Sequence, residues 1–292
     1  MSNEETAPYG SGPAEAPAAP AAPRKRIRTH HLREMKERGE KITMLTAYDM
    51  FTAATFDEAG IDLLLVGDSA SNNVLGNETS LPITVDERLP LTRAVARAAT
   101  RAMVVGDLPF GSYQASPEQA YLTAVRFMKE AGAHCVKLEG GAEMVPVIEK
   151  LTQGGIPVMA HIGFTPQSEH ALGGYRVQGR GDTAERVKRD AKAIEAAGAF
   201  AVVMEMVPGD VATEISRELT IPTIGIGAGP DCDGQVLVIN DALGLGDYWP
   251  PFSKQYAHVS DTILKVARDF TAEVESLAFP NNIIQFTGAG RR

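Results

Sequence analysis

Runs of Val, Ile, Leu, Met and Ala recur along the chain at 42–48, 62–68, 102–108, 134–139, 156–162, 199–206, 221–227 and 235–240. Most are apolar almost throughout instead of alternating, the pattern of parallel strands covered on both faces. Between them lie segments with helical period and helical punctuation. Ser116-Pro117-Glu118-Gln119 supplies an N-cap, a proline at the first helical position and a capping-box partner. An apolar stripe of Ala120, Ala124, Phe127, Met128 and Ala131 follows until Gly132 ends it. Asp182-Thr183-Ala184-Glu185 is expected to open a further helix in the same way, closed by Ala197-Gly198. Ala59-Gly60, Ala131-Gly132 and Ala197-Gly198 each stand just before a strand, a weak internal repeat. The pattern predicts βα units, eight of which close into a (β/α)8 TIM barrel, an α/β fold. An open doubly wound sheet is the rival, but no Gly-rich fingerprint follows the first strand.

Where these strands should end, the residues turn polar. Asp68-Ser69 closes the second run, Asp107 the third, Lys137 and Glu139 the fourth, His161 the fifth and Glu205 the sixth. Charge on a buried strand is costly unless paired or bound to a metal. In a barrel all these positions share the C-terminal rim, where active sites sit, so the series points to an enzyme. Asp68, Asp107 and Glu139 would repel one another there. A hard divalent cation resolves the repulsion, and oxygen-only donors favour Mg2+ over zinc. The alternative for each is a salt-bridged rim carboxylate. Lys137 and Glu139 stand two apart, so both point to one face, suited to an anionic substrate or to pairing with each other. Ser69 is a donor or a turn residue, and His161 a pocket residue or a structural one. Glu205 follows Ala201-Val202-Val203-Met204, an apolar setting that raises a carboxyl toward the range of a general base. Pairing with Lys137 or Arg180 is its rival reading. Gly225-Ile226-Gly227-Ala228-Gly229, after the seventh run, reads as an anion-facing amide loop or as a tight turn.

Composition narrows the class. The chain has 292 residues, 44% of them hydrophobic, enough for one large barrel domain. A formal charge of -9 argues against a general nucleic-acid partner, whose affinity needs a basic face. Cys135 and Cys232 cannot form a disulfide framework, and no stretch reaches the length of a membrane span. A cytoplasmic protein without a membrane partner is the resulting expectation. Residues 1–25, rich in Ala and Pro, are expected to be a disordered tail and 281–292 a flexible one, leaving 26–280 as a single catalytic barrel.

Six segments occur in order: Val66-Gly67-Asp68-Ser69, Leu81-Pro82-Ile83-Thr84, Asp107-Leu108-Pro109-Phe110-Gly111-Ser112-Tyr113, Lys137-Leu138-Glu139-Gly140-Gly141, Ala160-His161-Ile162-Gly163-Phe164-Thr165-Pro166-Gln167 and Ile224-Gly225-Ile226-Gly227-Ala228-Gly229. Over about residues 26–280 the set closely resembles the ketopantoate (3-methyl-2-oxobutanoate) hydroxymethyltransferase family. The resemblance implies a phosphoenolpyruvate mutase-like barrel and the first committed step of pantothenate synthesis. A one-carbon unit would pass from 5,10-methylenetetrahydrofolate, the co-substrate, to 3-methyl-2-oxobutanoate through a Mg2+-stabilised enolate. It implies Asp68, Asp107 and Glu139 as metal ligands and Glu205 as proton acceptor. Asp68, Ser69, Asp107, Lys137 and His161 become substrate-binding residues, and the assembly a homodecamer. Ala70-Ser71-Asn72-Asn73 and Leu91 depart from the family's pattern, and neither is a proposed ligand. The alternative is a metal-dependent lyase or mutase of the same barrel group acting on another oxo acid. Relatives of that kind use a cysteine in a rim loop, whereas Cys135 falls inside a strand.

Overall fold

The computed structural model describes residues 25–246 and 248–280; both expected tails lie outside these, apart from Lys25. In chain order the elements are α1 (Thr29–Arg38), β1 (Ile42–Thr46), α2 (Met50–Ala59), β2 (Leu63–Val66), α3 (Ala70–Asn73), α4 (Val85–Ala98) and β3 (Met103–Asp107). There follow α5 (Pro117–Lys129), β4 (Cys135–Glu139), α6 (Val145–Gln153), β5 (Val158–Gly163), α7 (Glu169–Leu172), α8 (Ala184–Ala196) and β6 (Ala201–Glu205). The chain continues through α9 (Gly209–Glu218), β7 (Thr223–Ile226), β8 (Gly234–Leu237), α10 (Ile239–Leu243) and α11 (Val259–Glu275). All strands pair in parallel, and β8 returns to β1, closing the barrel. The doubly wound alternative is thereby excluded.

Strand alternation sorts the side chains. Leu63, Leu65, Met103, Val105, Cys135, Met159, Ala201 and Val203 fill the barrel interior together with Leu32 of α1. Continuing the same two-residue period along β3 to β6 turns Asp107, Lys137, Glu139, His161 and Glu205 inward at the upper end. Register brings them level: Asp107 pairs with Lys137 and Glu139 with His161 across adjacent strands. Polar residues are therefore stacked on an apolar plug, which keeps water out from below. α1 seals that lower end, and Lys36 ties it down through Ser216 O, Ile221 O and Asp233 at 2.8, 3.0 and 2.8 Å.

Two glycines are needed by close approach. A Cβ on Gly106 would stand 2.7 Å from the Phe127 ring, so its absence lets α5 seat against β3. A Cβ on Gly163, at φ +92°, would meet the carbonyl of Glu205 at 2.3 Å. Gly163 thus lets β5 and β6 close up beside Glu205.

Helix starts differ from expectation in two places. Ser116 caps α5 by accepting from the Gln119 N–H at 3.1 Å, but the Gln119 side chain accepts from Ala115 instead of completing a box with Ser116. Asp182 caps nothing; a short 3-10 turn, Gly181–Thr183, precedes α8. After β8 the pattern of strand followed by a covering helix breaks down. α10 is one turn long, and none of the residues of α11 is buried. A cavity of about 920 Å3 lies against β1 and β8, lined by Ile42, Met44, Phe56, Leu243 and Tyr256 among others.

Candidate functional site

Asp68, Ser69, Asp107, Lys137, Glu139, His161 and Glu205 all line one cavity at the C-terminal rim. The polar residues expected from separate stretches of sequence therefore converge. Lys137 Nζ bonds Asp107 Oδ1 at 2.8 Å and approaches Glu139 Oε1 at 3.6 Å, with all three side chains at most 4% exposed. The Asp68 N–H donates to Asp107 Oδ2 at 3.0 Å. Ser69 Oγ shares a hydrogen bond with Tyr48 Oη at 2.8 Å. His161 stands between two carboxylates, its Nδ1 3.3 Å from Glu139 and its Nε2 3.4 Å from Glu205. Glu205 is thus paired with His161, and neither with Lys137 nor with Arg180 as its rival reading had it.

Five carboxyl side chains, Asp241 among them, and one ammonium line this space, which leaves an excess of acidic groups in the pocket. Burial pushes Glu139 up to about 8, against the pull of Lys137. Burial likewise raises Asp107, with Asp68 adding repulsion while Lys137 and Arg88 oppose. Burial pulls Lys137 down, yet Asp107, Glu139 and Asp68 together hold it above its ordinary value. Glu205 is raised by burial, and His161 works against the shift. It keeps 14% of its side-chain exposure, so it faces the cavity from a partly wet position.

The donor set tests the expected metal. All candidate donors are oxygen, which suits a hard cation. Glu139 Oε1 is buried and makes no hydrogen bond, although Lys137 Nζ and His161 Nδ1 stand 3.6 and 3.3 Å from it. Among the described residues no three His, Cys, Asp or Glu side chains form a ready-made cage. Mg2+ does not need one: one or two carboxylates with waters and substrate oxygens complete its shell. The residues present fit that ion.

Part of the lining differs in kind. Ile226, Val236 and Val238 line the cavity from β7 and β8, Leu65 and Val203 stand below the polar residues in the barrel interior, and Phe252 joins them. The cavity has an ionic side and a hydrocarbon side, suited to a small acid with an alkyl tail. Gly227 and Gly229 line the outer cavity by β1 and β8, where Gly227 packs on Phe252.

Sequence reasoning missed three participants. Arg88, fully buried on α4, donates to the carbonyls of Val66, Gly67 and, at 3.2 Å, Asp107, placing a cation behind both aspartates. In sequence nothing marks it, since it falls between strands with no apolar run to stand out against. Tyr113 and Gln167 lie inside quoted segments, but being neutral they carried no charge to mark them.

The ketopantoate hydroxymethyltransferase family model matches residues 26–282. A Nocardioides protein named 3-methyl-2-oxobutanoate hydroxymethyltransferase is 71% identical over 283 residues, 96% of each chain. One of the same name from Saccharopolyspora erythraea is 59% identical over 95% of this chain and 92% of its own. Among solved structures, phosphonopyruvate hydrolase with oxalate and Mg2+ aligns at TM-score 0.58 with 13% identity, covering 89% of this chain and 92% of that one. A 2,3-dimethylmalate lyase of the phosphoenolpyruvate mutase/isocitrate lyase superfamily aligns at 0.54, also with 13% identity, over 89% and 92%. These structural likenesses bear on the fold alone, a closed (β/α)8 barrel.

Proposed function

The chain belongs to the ketopantoate hydroxymethyltransferase family, and from that premise we propose that Glu205 takes a proton from C3 of 3-methyl-2-oxobutanoate so that this carbon can accept the one-carbon unit of 5,10-methylenetetrahydrofolate. The enzyme is a hydroxymethyltransferase of pantothenate synthesis, and its product is 2-dehydropantoate. The single observation that carries the mechanism is the placement of Glu205, a raised carboxyl on β6, across the cavity from the aspartates of β2 and β3.

Asp68 and Asp107 would hold Mg2+, with Glu139 Oε1, which makes no hydrogen bond, as the third oxygen. When bound, Mg2+ supplies Lewis-acid stabilisation of the negative charge that builds on the substrate's keto oxygen. Lys137 attracts the substrate carboxylate from the floor of the pocket, and Ser69 offers it a hydroxyl. The aliphatic wall receives the isopropyl group and keeps water from the carbon that loses its proton. His161, held between Glu139 and Glu205, fixes the direction of the base. The lyase or mutase alternative lacks its cysteine: Cys135 is buried in the barrel interior, and neither cysteine lines this cavity. We place the reaction in the cytoplasm; among the described residues no helix is long and apolar enough to cross a membrane.

The test needs no folate. In deuterated water the protein should exchange the C3 hydrogen of 3-methyl-2-oxobutanoate in the presence of Mg2+, and chelation should stop it. Absence of exchange with every divalent cation tried defeats the carbon-acid mechanism.

We further propose a homo-oligomer, a decamer by family likeness. It is supported by α11, whose Ile263, Val266, Phe270 and Val274 form one exposed apolar stripe. Such a stripe on a helix with no buried face is a contact surface for another copy. Phe270→Glu should lower the sedimentation mass of the native particle. A variant that sediments like the parent sinks the role of this helix.

A further inference from the structure

Gln167 lies just past β5, in the turn Pro166–Ser168, and is 4% exposed. It carries no charge and has no part in the chemistry above, yet it joins the ends of three strands. Its backbone N–H donates to Glu139 Oε2 at 2.9 Å. Its Nε2 donates to Asp68 Oδ2 at 3.1 Å and to the carbonyl of Leu108 at 2.9 Å. Its Oε1 accepts from Tyr113 Oη at 2.7 Å and from Gln114 Nε2 at 3.2 Å. Tyr113 Oη in turn accepts from the Glu139 N–H at 3.1 Å.

Both amide hydrogens and both oxygen lone pairs are therefore used. The orientation is fixed, because turning the amide over would set oxygen against two acceptors and nitrogen against two donors. A continuous relay results, from the Glu139 N–H through the Tyr113 hydroxyl and the Gln167 amide to the Asp68 carboxylate. In a buried setting each bond of such a chain polarises the next.

We propose that Gln167 is a positioning residue that holds Asp68 and Glu139 at a set separation, so that their oxygens are preorganised for a divalent cation. This rests on reading the cavity as a Mg2+ site. The carboxylates repel one another, and Lys137 makes direct ion pairs with Asp107 and Glu139 but none with Asp68. Asp68 needs a donor too. A further ammonium in direct contact there would reduce the charge that attracts the ion. An amide orients the carboxylate without adding net charge, and its rigid attachment to the Glu139 carboxylate through the backbone N–H couples the two ligands. Tyr113 acts one step behind, by fixing which end of the amide faces Asp68.

Gln167→Met keeps most of the volume and removes the side-chain hydrogen bonds. Titrating Mg2+ alone into the chelator-stripped protein, calorimetry should show affinity about 10–100-fold weaker than in the parent, as for other residues that orient metal ligands. The thermal melt in chelator should stay close to that of the parent. The C3 exchange should recover when Mg2+ is raised well above the new Kd, a rescue that general misfolding would not allow. Tyr113→Phe should weaken Mg2+ binding less, and the double variant should bind no more weakly than Gln167→Met, because the two changes break one chain. A folded Gln167→Met variant with parental Mg2+ affinity overturns the proposal. Should that variant fail to fold, parental affinity in Tyr113→Phe overturns it instead. Independent, additive losses in the double variant overturn the relay. A parent protein that takes up no Mg2+ sinks the metal reading together with this one, whereas parental binding with an unaffected variant sinks this one alone.

Discussion

Glu205→Gln is expected to lower the Mg2+-dependent exchange of the C3 hydrogen by about 10²–10⁴-fold, the usual contribution of a positioned general base. The amide keeps the size of the side chain beside His161 Nε2, 3.4 Å away in the parent, so the fold and Mg2+ binding should survive. What disappears is the lone pair able to take the proton. The pH dependence follows from the direction of the shift. Burial raises Glu205 above an ordinary glutamate. The base works only when ionised, so exchange should fall as the pH drops through that raised value, sooner than an exposed carboxylate would require. An exchange rate in the glutamine variant within tenfold of the parent, measured by loss of the C3 proton signal, removes Glu205 from the chemistry.

The second large effect concerns stability. Lys137→Met leaves Asp107 and Glu139 facing each other in a dry interior without their shared cation. Removing one partner of a buried pair costs about 3–5 kcal/mol. For a domain of this size that is a fall in melting temperature on the order of 10 °C, read in chelator so that no metal substitutes for the ammonium. The sign with pH can be worked out. Lys137 is held above its unfolded value, so its stabilisation is fully present at neutral pH and is lost only in strong alkali. In the variant the penalty should shrink as acid protonates Asp107, whose own value is already raised by burial. Equal melting of parent and variant at neutral pH would show that the carboxylates need no internal counter-charge.

Much of this was readable beforehand, and for a definite reason. A parallel strand buried on both faces must be apolar, so each charged residue at its end stood out against its own run. Asp107, Lys137, Glu139, His161 and Glu205 were found that way, and the two-residue period set their common direction. Three things lay beyond the sequence. Gln167 and Tyr113 are neutral, and their role exists only through partners 26 to 99 positions away. Arg88 sits in a helical stripe, where its turn toward the strand-end carbonyls depends on how α4 packs. The helix expected to cover β8 was also invisible as an exception, because the apolar stripe of α11 reads the same whichever surface covers it.

The division of the cavity into an ionic wall and a hydrocarbon wall sets a filter on what can react. Leu65, Val203, Ile226, Val236 and Val238 offer no hydrogen bond in their side chains. A polar group placed against these five side chains would surrender its hydration without a hydrogen bond from them. Discrimination between keto acids is then exerted on the substituents of the very carbon that forms the new bond, at the end away from the carboxylate.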